Sequence, residues 1–580
     1  MRVVTSTQMA AIDRRTIDGG VPSLELMERA GAAVAGHVLE LLSEHQDGHG
    51  HDHGHPGGHA CGSACGHDHD HDHADAAGDG EDAPCGHEAT DPCVLVVCGR
   101  GNNGGDGLVV ARLLAAEGVP VVVMLLAAPR EMAKDARRNL ERLPEAVEVV
   151  QPRAADWPDV YAELAQGAGV VVDAVLGTGA RLPLEAPLAA LLRAMNDAAV
   201  PTLAIDVPSG VHGDDGHVDP VAVAADVTVT IGLPKLGLLL APGRDYAGRV
   251  EVEDIGFDPA VCAELAGPLH WQDRTGYLPL LPPRPTTVHK GDCGHLLLVA
   301  GSRAYGGAAH LAGLGALRSG IGMLTLAAPE PLEAALRVAL PEAVLCPLPA
   351  TAAGTLAPVA DSDARALLGR AGAVAIGPGL GDDEATDGWV RAFAGTVTLP
   401  MVIDADGLNA WSRGGREPSF AGRQVVLTPH PGEFARLAGL PVAEVAARRL
   451  ELAAWAADRW GAVVVLKGSP AIIGVPGEGA WINAAGDDAL ARGGAGDVLT
   501  GLIGGLLAQG LCARDAALLG CYVHGLAGTA AAREVSSRGV LVREVAAAIG
   551  PQWLALEREA SGVAALRERL WPSWPEAGPR

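Results

Sequence analysis

Two glycine-rich loops of different design constrain this chain most: Gly99-Arg-Gly-Asn-Asn-Gly-Gly-Asp-Gly107 and Gly493-Gly-Ala-Gly-Asp497. Glycine lets backbone amides approach an anion closely, and a helix N-terminus behind the loop adds the positive end of its dipole. The first loop follows the apolar run Cys93-Val-Leu-Val-Val-Cys98, and the second opens the helical run Val498-Leu-Thr-Gly-Leu-Ile-Gly-Gly-Leu-Leu507. Two such loops in 580 residues predict two α/β units, each large enough to bury a core and each with its own phosphate-type site.

The surrounding pattern agrees. Short apolar runs at Val119 to Leu126, Val170 to Leu176, Thr202 to Asp206, Val227 to Ile231 and Arg249 to Ile255 alternate with helical stretches. That alternation predicts an N-terminal, Rossmann-like, doubly wound parallel sheet. After the proline-rich break Leu278-Pro-Leu-Leu-Pro-Pro-Arg-Pro285, a second α/β unit runs through His295 to Ala300, Ala373 to Ile376, Met401 to Asp404, Gln424 to Leu427 and Ala462 to Leu466. The division expected is 1–260, a linker at 261–284, a second domain at 285–555, and a tail at 556–580 that is irregular from Trp571. Residues 5–42 carry Leu24, Leu26, Met27, Ala30, Val34, Val38, Leu41 and Leu42 at helical spacing, with Ser23 as the cap.

Between about residues 45 and 92 the composition turns to His, Asp, Gly and Ala, as in His49-Gly-His-Asp-His-Gly-His55 and His67-Asp-His-Asp-His-Asp-His73. Such a segment cannot bury a core and reads as a disordered insertion. Its imidazoles, with Cys61 and Cys65, could hold Ni²⁺ or Zn²⁺, but the spacing specifies no closed site. A net charge of −27 argues against nucleic acid and anionic membranes as partners. No membrane-length apolar run or signal peptide is read, so a cytoplasmic, soluble protein is expected, with small-molecule partners and homo-oligomerisation. The cysteines fit no disulfide framework.

Gly99-Arg-Gly-Asn-Asn-Gly104 satisfies a dinucleotide-loop pattern, but the next strand ends Leu125-Leu-Ala-Ala-Pro129 without the acidic residue that grips a ribose. An ordinary NAD dehydrogenase is therefore disfavoured. Two further loops, Asp173-Ala-Val-Leu-Gly-Thr-Gly-Ala-Arg-Leu-Pro183 and Asp206-Val-Pro-Ser-Gly210, should reach the same sheet edge. Either aspartate alone could cap a turn, whereas the set of three loops points to one site. Together they resemble the NAD(P)H-hydrate epimerase family over about residues 1 to 260. The resemblance implies that Asn102, Asn103, Gly104, Gly105, Asp106, Gly177, Thr178, Gly179, Ala180, Arg181, Leu182, Pro183 and Asp206 contact a hydrated nicotinamide dinucleotide, NADHX or NADPHX. It implies too that Asn103, Asp173 and Ser209 hold K⁺. Asp206 would shuttle a proton as the hydrated ring opens and recloses, with Lys134 as a guessed partner. Pro234-Lys-Leu-Gly-Leu-Leu-Leu-Ala-Pro-Gly243 also resembles a family segment.

Gly493-Gly-Ala-Gly-Asp497 places a carboxylate beside an anion hole, which suits phosphoryl transfer to a hydroxyl, and the loop resembles that of ribokinase-like proteins. Gly301-Ser-Arg-Ala-Tyr-Gly-Gly-Ala-Ala309, Gly377-Pro-Gly-Leu-Gly381, Asp404-Ala-Asp-Gly-Leu-Asn409, Thr428-Pro-His-Pro-Gly-Glu433 and Val465-Leu-Lys-Gly-Ser469 narrow it. In this order they resemble the ADP- or ATP-dependent NAD(P)H-hydrate dehydratase family over residues 285 to 555. The resemblance implies that Lys467, Gly468, Ser469, Pro470, Ala471 and Gly496 bind the nucleotide with Mg²⁺. Ala308 or Ala309, Gly379, His430 and Asp497 would then contact the hydrate, with Asp497 catalytic. His430 taken alone is a polar loop residue, Glu433 reads as a helix-start residue, and Lys467 gains a role only from its motif.

The expected function is nicotinamide nucleotide repair with ADP as the favoured phosphate donor. One alternative is a ribokinase-like small-molecule kinase with an accessory nucleotide-binding domain, which would leave a stable phosphorylated product. Another makes the His-rich insertion a metal reservoir, a role that deletion of residues 45–91 would abolish while leaving catalysis intact.

Overall fold

The computed structural model describes residues 1–48 and 93–570. The expected insertion at 45–92 lies outside the described residues beyond Gly48, as does the segment from Trp571. The Ni²⁺ or Zn²⁺ reading falls on those residues.

Seven parallel strands form the first sheet: β1 (Cys93–Cys98), β2 (Val121–Leu125), β3 (Glu148–Val150), β4 (Ala168–Ala174), β5 (Thr202–Ile205), β6 (Val227–Ile231) and β7 (Arg249–Glu253). Their order is β3-β2-β1-β4-β5-β6-β7. The continuous apolar run of β1 has a direct cause, since Val94, Val96 and Cys98 enter the core on one sheet face and Leu95 and Val97 the core on the other. A strand covered on both faces has no polar side to alternate with.

The second sheet has ten strands: β8 (Leu269–Trp271), β9 (His295–Val299), β10 (Met323–Pro329), β11 (Val344–Leu348), β12 (Ala373–Ile376), β13 (Met401–Ile403), β14 (Val425–Leu427), β15 (Val463–Leu466), β16 (Ala471–Val475) and β17 (Gly479–Asn483). They run in the order β11-β10-β9-β12-β13-β14-β15-β16-β17-β8. Strands β15 to β17 pair antiparallel and the other neighbours pair parallel. Leu296 and Leu298 pack on one face and Leu297 and Val299 on the other, repeating the logic of β1. Each sheet therefore reverses direction once, between β1 and β4 and between β9 and β12, and loops leaving the carboxyl ends there splay apart to make a crevice.

Three sequence expectations change. The N-terminal helical stretch is two helices, Ser6–Asp18 and Ser23–Gly48. Gly19-Gly20 and Pro22 divide them, with Gly20 in a left-handed conformation at φ 106°. Ser23 opens the second helix and bonds the Asp135 carboxylate at 2.5 Å. The stretch 261–284 is folded rather than a bare linker, since it carries helix Pro259–Leu265, strand β8 and helix Arg274–Tyr277. The last helix, Val542–Leu570, continues well past residue 556. Edge strands β3, β8 and β11 are three to five residues long, too short for apolar alternation to show.

Candidate active sites

The first site stands at the carboxyl ends of β1, β4 and β5, around a cavity of about 1100 Å³. Asp206 follows β5 with φ 70°, a strained backbone for an L-residue that costs about 1–3 kcal/mol and is concentrated at functional sites. Its Oδ1 lies 2.5 Å from the Lys235 ammonium and accepts the Ile231 amide at 3.3 Å. Lys235 is 1% exposed and also donates to the Ile231 carbonyl at 2.6 Å and the Thr230 hydroxyl at 3.2 Å, so its three donors are all used. Both members of the pair line the cavity, and the Asp206 side chain, 15% exposed, is the more open of the two.

Asp13 and Asp106 line the same cavity. Burial pushes the Asp13 carboxyl up to about 6, with Lys235 opposing and Asp206 adding to the shift. Burial, together with Asp206 and Asp13, lifts Asp106 well above the ordinary carboxylate range. Three carboxyl groups and one lysine thus share one space, and burial holds two of the acids above the ordinary carboxylate range.

Asn102, Asn103, Gly177, Thr178, Gly179, Arg181 and Pro183 line the cavity as expected, whereas Gly104, Gly105, Ala180 and Leu182 do not. The two glycines have a packing reason instead. A Cβ on Gly104 would meet the Gly99 carbonyl oxygen at 2.0 Å, and one on Gly105 would meet Met27 Sδ at 2.8 Å. The helix starts at Asn102, earlier than the apolar pattern suggests, so the glycines form its first turn against the strand loop.

Asp173, Ser209 and Asn103 are brought together beneath this floor. Asp173 is fully buried and accepts the Ser209 hydroxyl at 2.6 Å and its amide at 2.8 Å. Asn103 donates to the Leu176 carbonyl at 2.9 Å, and the Leu176 amide bonds Ser209 Oγ at 2.8 Å. Burial raises Asp173 to about 6, against three hydrogen bonds that lower it. Lys134 is exposed and lies off the cavity. The lysine that reaches Asp206 is Lys235, and the correction is topological: β6 lies beside β5, so the loop after it passes the Asp206 carboxylate.

The second site gathers loops after β13, β14 and β15. Asp404, 1% exposed, accepts Lys467 Nζ at 2.6 Å on one oxygen and the Thr500 hydroxyl at 2.6 Å on the other. Thr500 belongs to helix Ala495–Ala508, whose amino end is the second glycine loop. Gly494 takes φ 98°, and a Cβ on Gly496 would sit 2.9 Å from Lys467 Nζ. The helix start is therefore seated on the Asp404–Lys467 pair because glycine stands there.

Burial, then Asp404, pushes Asp497 up to about 7, with Lys467 opposing. Glu433 rises to about 7 for the same two causes. Burial favours the neutral amine of Lys467, but Asp404, Glu433 and Asp497 together hold its pKa above the ordinary lysine value. Glu433 serves the helix start as expected, its Oε2 accepting the His430 amide at 2.8 Å. His430 Nδ1 in return accepts the Gly432 amide at 3.0 Å, a reciprocal cap that orients the ring. Burial and then Lys467 lower the His430 pKa.

At the strand-order reversal, Gly379 (φ 64°) leaves room for a Cβ only 2.7 Å from that of Ala308, so the loops after β9 and β12 touch there. Ala309 is wholly buried in the core, which makes Ala308 the member of that pair at the loop contact. Lys467, Gly468, Ser469 and Pro470 form the turn into β16, which begins at Ala471. Arg449 braces it from below, donating to the Pro470 carbonyl at 2.6 Å and to those of Leu466 and Lys467 at 3.3 Å. Asp13, Lys235, Thr500 and Arg449 were not singled out from sequence. Lys235 stood inside a quoted segment, but Asp13 is a single polar position on an amphipathic helix and carries no local signal.

Among the described residues no helix is long and apolar enough to cross a membrane. A family model described as NAD(P)H-hydrate dehydratase matches residues 296–550, and one described as YjeF-related protein N-terminus matches residues 23–237. The chain is 36% identical over 557 residues to a bifunctional NAD(P)H-hydrate repair enzyme of Moorella thermoacetica, covering 94% of this chain and 95% of that one. It is 42% identical over 448 residues to the enzyme of that name from Thermofilum pendens, covering 77% and 84%. The crystal structure of ADP/ATP-dependent NAD(P)H-hydrate dehydratase from Bacillus subtilis, co-crystallized with ATP/Mg²⁺, aligns with 34% identity and a TM-score of 0.44, over 50% of this chain and 98% of that one. With relatives matched along both halves, the chain belongs to the family of bifunctional NAD(P)H-hydrate repair enzymes.

Proposed function

We propose that the chain repairs hydrated nicotinamide dinucleotides. The first site interconverts the R and S forms of NADHX and NADPHX, and the second dehydrates the S form to NADH or NADPH while ADP becomes AMP and phosphate. The observation that carries this reading is Asp497, held beside Lys467 at the amino end of a glycine-opened helix, in the same chain as the Asp206 cavity.

In the first site Asp206 moves the proton that accompanies ring opening and reclosure at C6. Asp106 faces the same cavity and is held well above the ordinary carboxylate range, which makes it the acid partner, with Asp13 raised beside it. The donor set of Asn103, Asp173 and Ser209 fits K⁺. Asp173 is a buried carboxylate with only neutral hydrogen-bond donors and no ion pair among the described residues, and a bound cation supplies the missing charge. Asp206, with Asn102, Asn103, Asp106, Gly177, Thr178, Gly179, Arg181 and Pro183, binds the hydrate.

In the second site Lys467 to Ala471 and Gly496 hold the adenine nucleotide, while Ala308, Gly379, His430 and Asp497 face the hydrate. Asp497 accepts the proton of the C6 hydroxyl as its oxygen bonds the terminal phosphorus of ADP and the bond to AMP breaks. Departure of phosphate from C6 with loss of a C5 proton to solvent then forms the C5–C6 double bond and restores the reduced ring. Asp406 lies close enough to raise the Asp497 pKa, and its hard oxygens would suit Mg²⁺, which neutralises phosphate charge when bound. The proposal extends to a cytoplasmic homo-oligomer and to Ni²⁺ or Zn²⁺ on the His-rich run, tested by sizing chromatography and metal titration of the full chain.

Recovery of NADH absorbance from mixed R and S hydrates, with Mg²⁺, K⁺ and either ADP or ATP, tests the whole reading. Complete recovery with one nucleotide, and release of one phosphate per NADH, are expected. A stable phosphorylated product would instead establish the small-molecule kinase.

A further inference from the structure

The segment Pro234–Gly243 is used by the first site only at Lys235, yet residues 234–239 are all buried. Leu236 and Leu239 are 8% and 1% exposed and sit in the hydrophobic core of the ten-stranded half. A Cβ on Gly237 would meet the His212 carbonyl oxygen at 2.1 Å, so the backbone there cannot drift. The segment delivers Arg244, whose amide bonds the Leu240 carbonyl at 2.9 Å. Arg244 then crosses to the other half. Its Nη1 donates to Ser469 Oγ at 3.2 Å and its Nη2 to the Gly486 carbonyl.

Those two acceptors belong to different loops. Ser469 lies in the turn from β15 to β16, and Gly486 lies on the path from β17 to Gly493 and Asp497. A nucleotide held by both loops needs their separation fixed. The planar guanidinium has two donors in a rigid fork and can set that separation, whereas a lysine ammonium on a flexible stem is a single point.

We propose that Arg244, carried by the seven-stranded half, is a positioning residue for the nucleotide site of the ten-stranded half. The dehydratase then borrows part of its nucleotide affinity from the epimerase half, and one short segment ends on Asp206 through Lys235 and on the nucleotide loop through Arg244. This rests on the reading that residues 467–471 bind the nucleotide.

The test is steady-state dehydration of purified S hydrate at varied ADP with the full-length Arg244→Ala and Arg244→Lys variants. Epimerisation of the R hydrate is followed by chromatography without nucleotide. Arg244→Ala should raise the KM for ADP about tenfold with kcat within about twofold and epimerisation unchanged, and Arg244→Lys should fall between it and the parent. Hydrogen exchange of residues 463–475 with and without ADP and Mg²⁺ in the unmodified protein separates the two claims. Protection of that stretch with an unchanged KM in Arg244→Ala overturns the positioning role alone, and no protection overturns the loop assignment together with it. If Arg244→Ala loses both activities, Arg244→Lys decides: a raised KM with intact epimerisation supports the role, and a parental KM overturns it.

Discussion

Both halves place an aspartate directly after a central strand, Asp206 after β5 and Asp404 after β13, and pair it with a lysine from another strand's loop. The pairs face opposite ways. In the first, the lysine side chain is 1% exposed and the aspartate 15%; in the second, the aspartate is 1% exposed and the lysine 21%. In the first site the carboxylate is therefore the more open partner, and in the second the cation is. Proton transfer on a ring suits the first polarity and a phosphate chain suits the second. Two parallel-stranded halves thus use the same pair of residue types with opposite partners buried.

The largest effect should come from the acid beside the exposed lysine. Asp497→Asn should slow dehydration by about 10³–10⁴-fold and leave R to S conversion intact, measured on separated hydrates. Because Asp497 must accept a proton and its pKa stands at about 7, dehydratase kcat/KM should rise with pH through about 7 and then level, and the variant should lose that rise. A flat profile in the parent would remove Asp497 as the base.

Asp206→Asn should slow epimerisation by about 10²–10³-fold while S-hydrate turnover persists. Absorbance recovery from a mixture should then stop near the S fraction. Equal loss of both activities would show that the sites are not separable as the inverted pairs suggest.

Stability sharpens the contrast further. Removing the exposed partner strands a buried charge, so Lys467→Met, which leaves Asp404 unpaired, should cost about 3–5 kcal/mol in chemical denaturation. Lys235→Met leaves Asp206 facing a cavity that water can enter, and should cost less, about 1–3 kcal/mol. The reverse order would contradict the assignment of which partner is buried.

The smallest effect concerns the floor of the first site. Exchanging K⁺ for choline should slow epimerisation and lower stability by roughly 1 kcal/mol at a few times the dissociation constant, without touching dehydration. Asp173→Asn should abolish the K⁺ response in a melting experiment. An unchanged response would mean that the cation, if bound, sits elsewhere.

Much of this was legible in the chain because loops at the carboxyl ends of parallel strands must meet. Once β1, β4 and β5 were read from their apolar runs, Asn103, Asp173, Asp206 and Ser209 had to lie on one edge, and the same held for the loops ending at Gly379, His430 and Lys467. Misplacements followed from effects that no local pattern carries. Lys134 is only a guess from the sequence, and Lys235 takes the place beside Asp206 because no local pattern says which strand neighbours β5. Gly104 and Gly105 were read as ligand contacts, when close approach to Gly99 and Met27 is what demands glycine.

The sequence by itself determined the two doubly wound units, the glycine loops and the family, since these follow from periodicity and from residue types that few sites can use. Only the tertiary structure decided that β8, just ahead of the proline-rich break, completes the second sheet, that Asp13 joins Asp106 and Asp206 around one lysine, and that Arg244 reaches across to Ser469. Burial and ion pairing depend on what packs against a side chain from distant parts of the chain, and that information exists only once the sheets have formed.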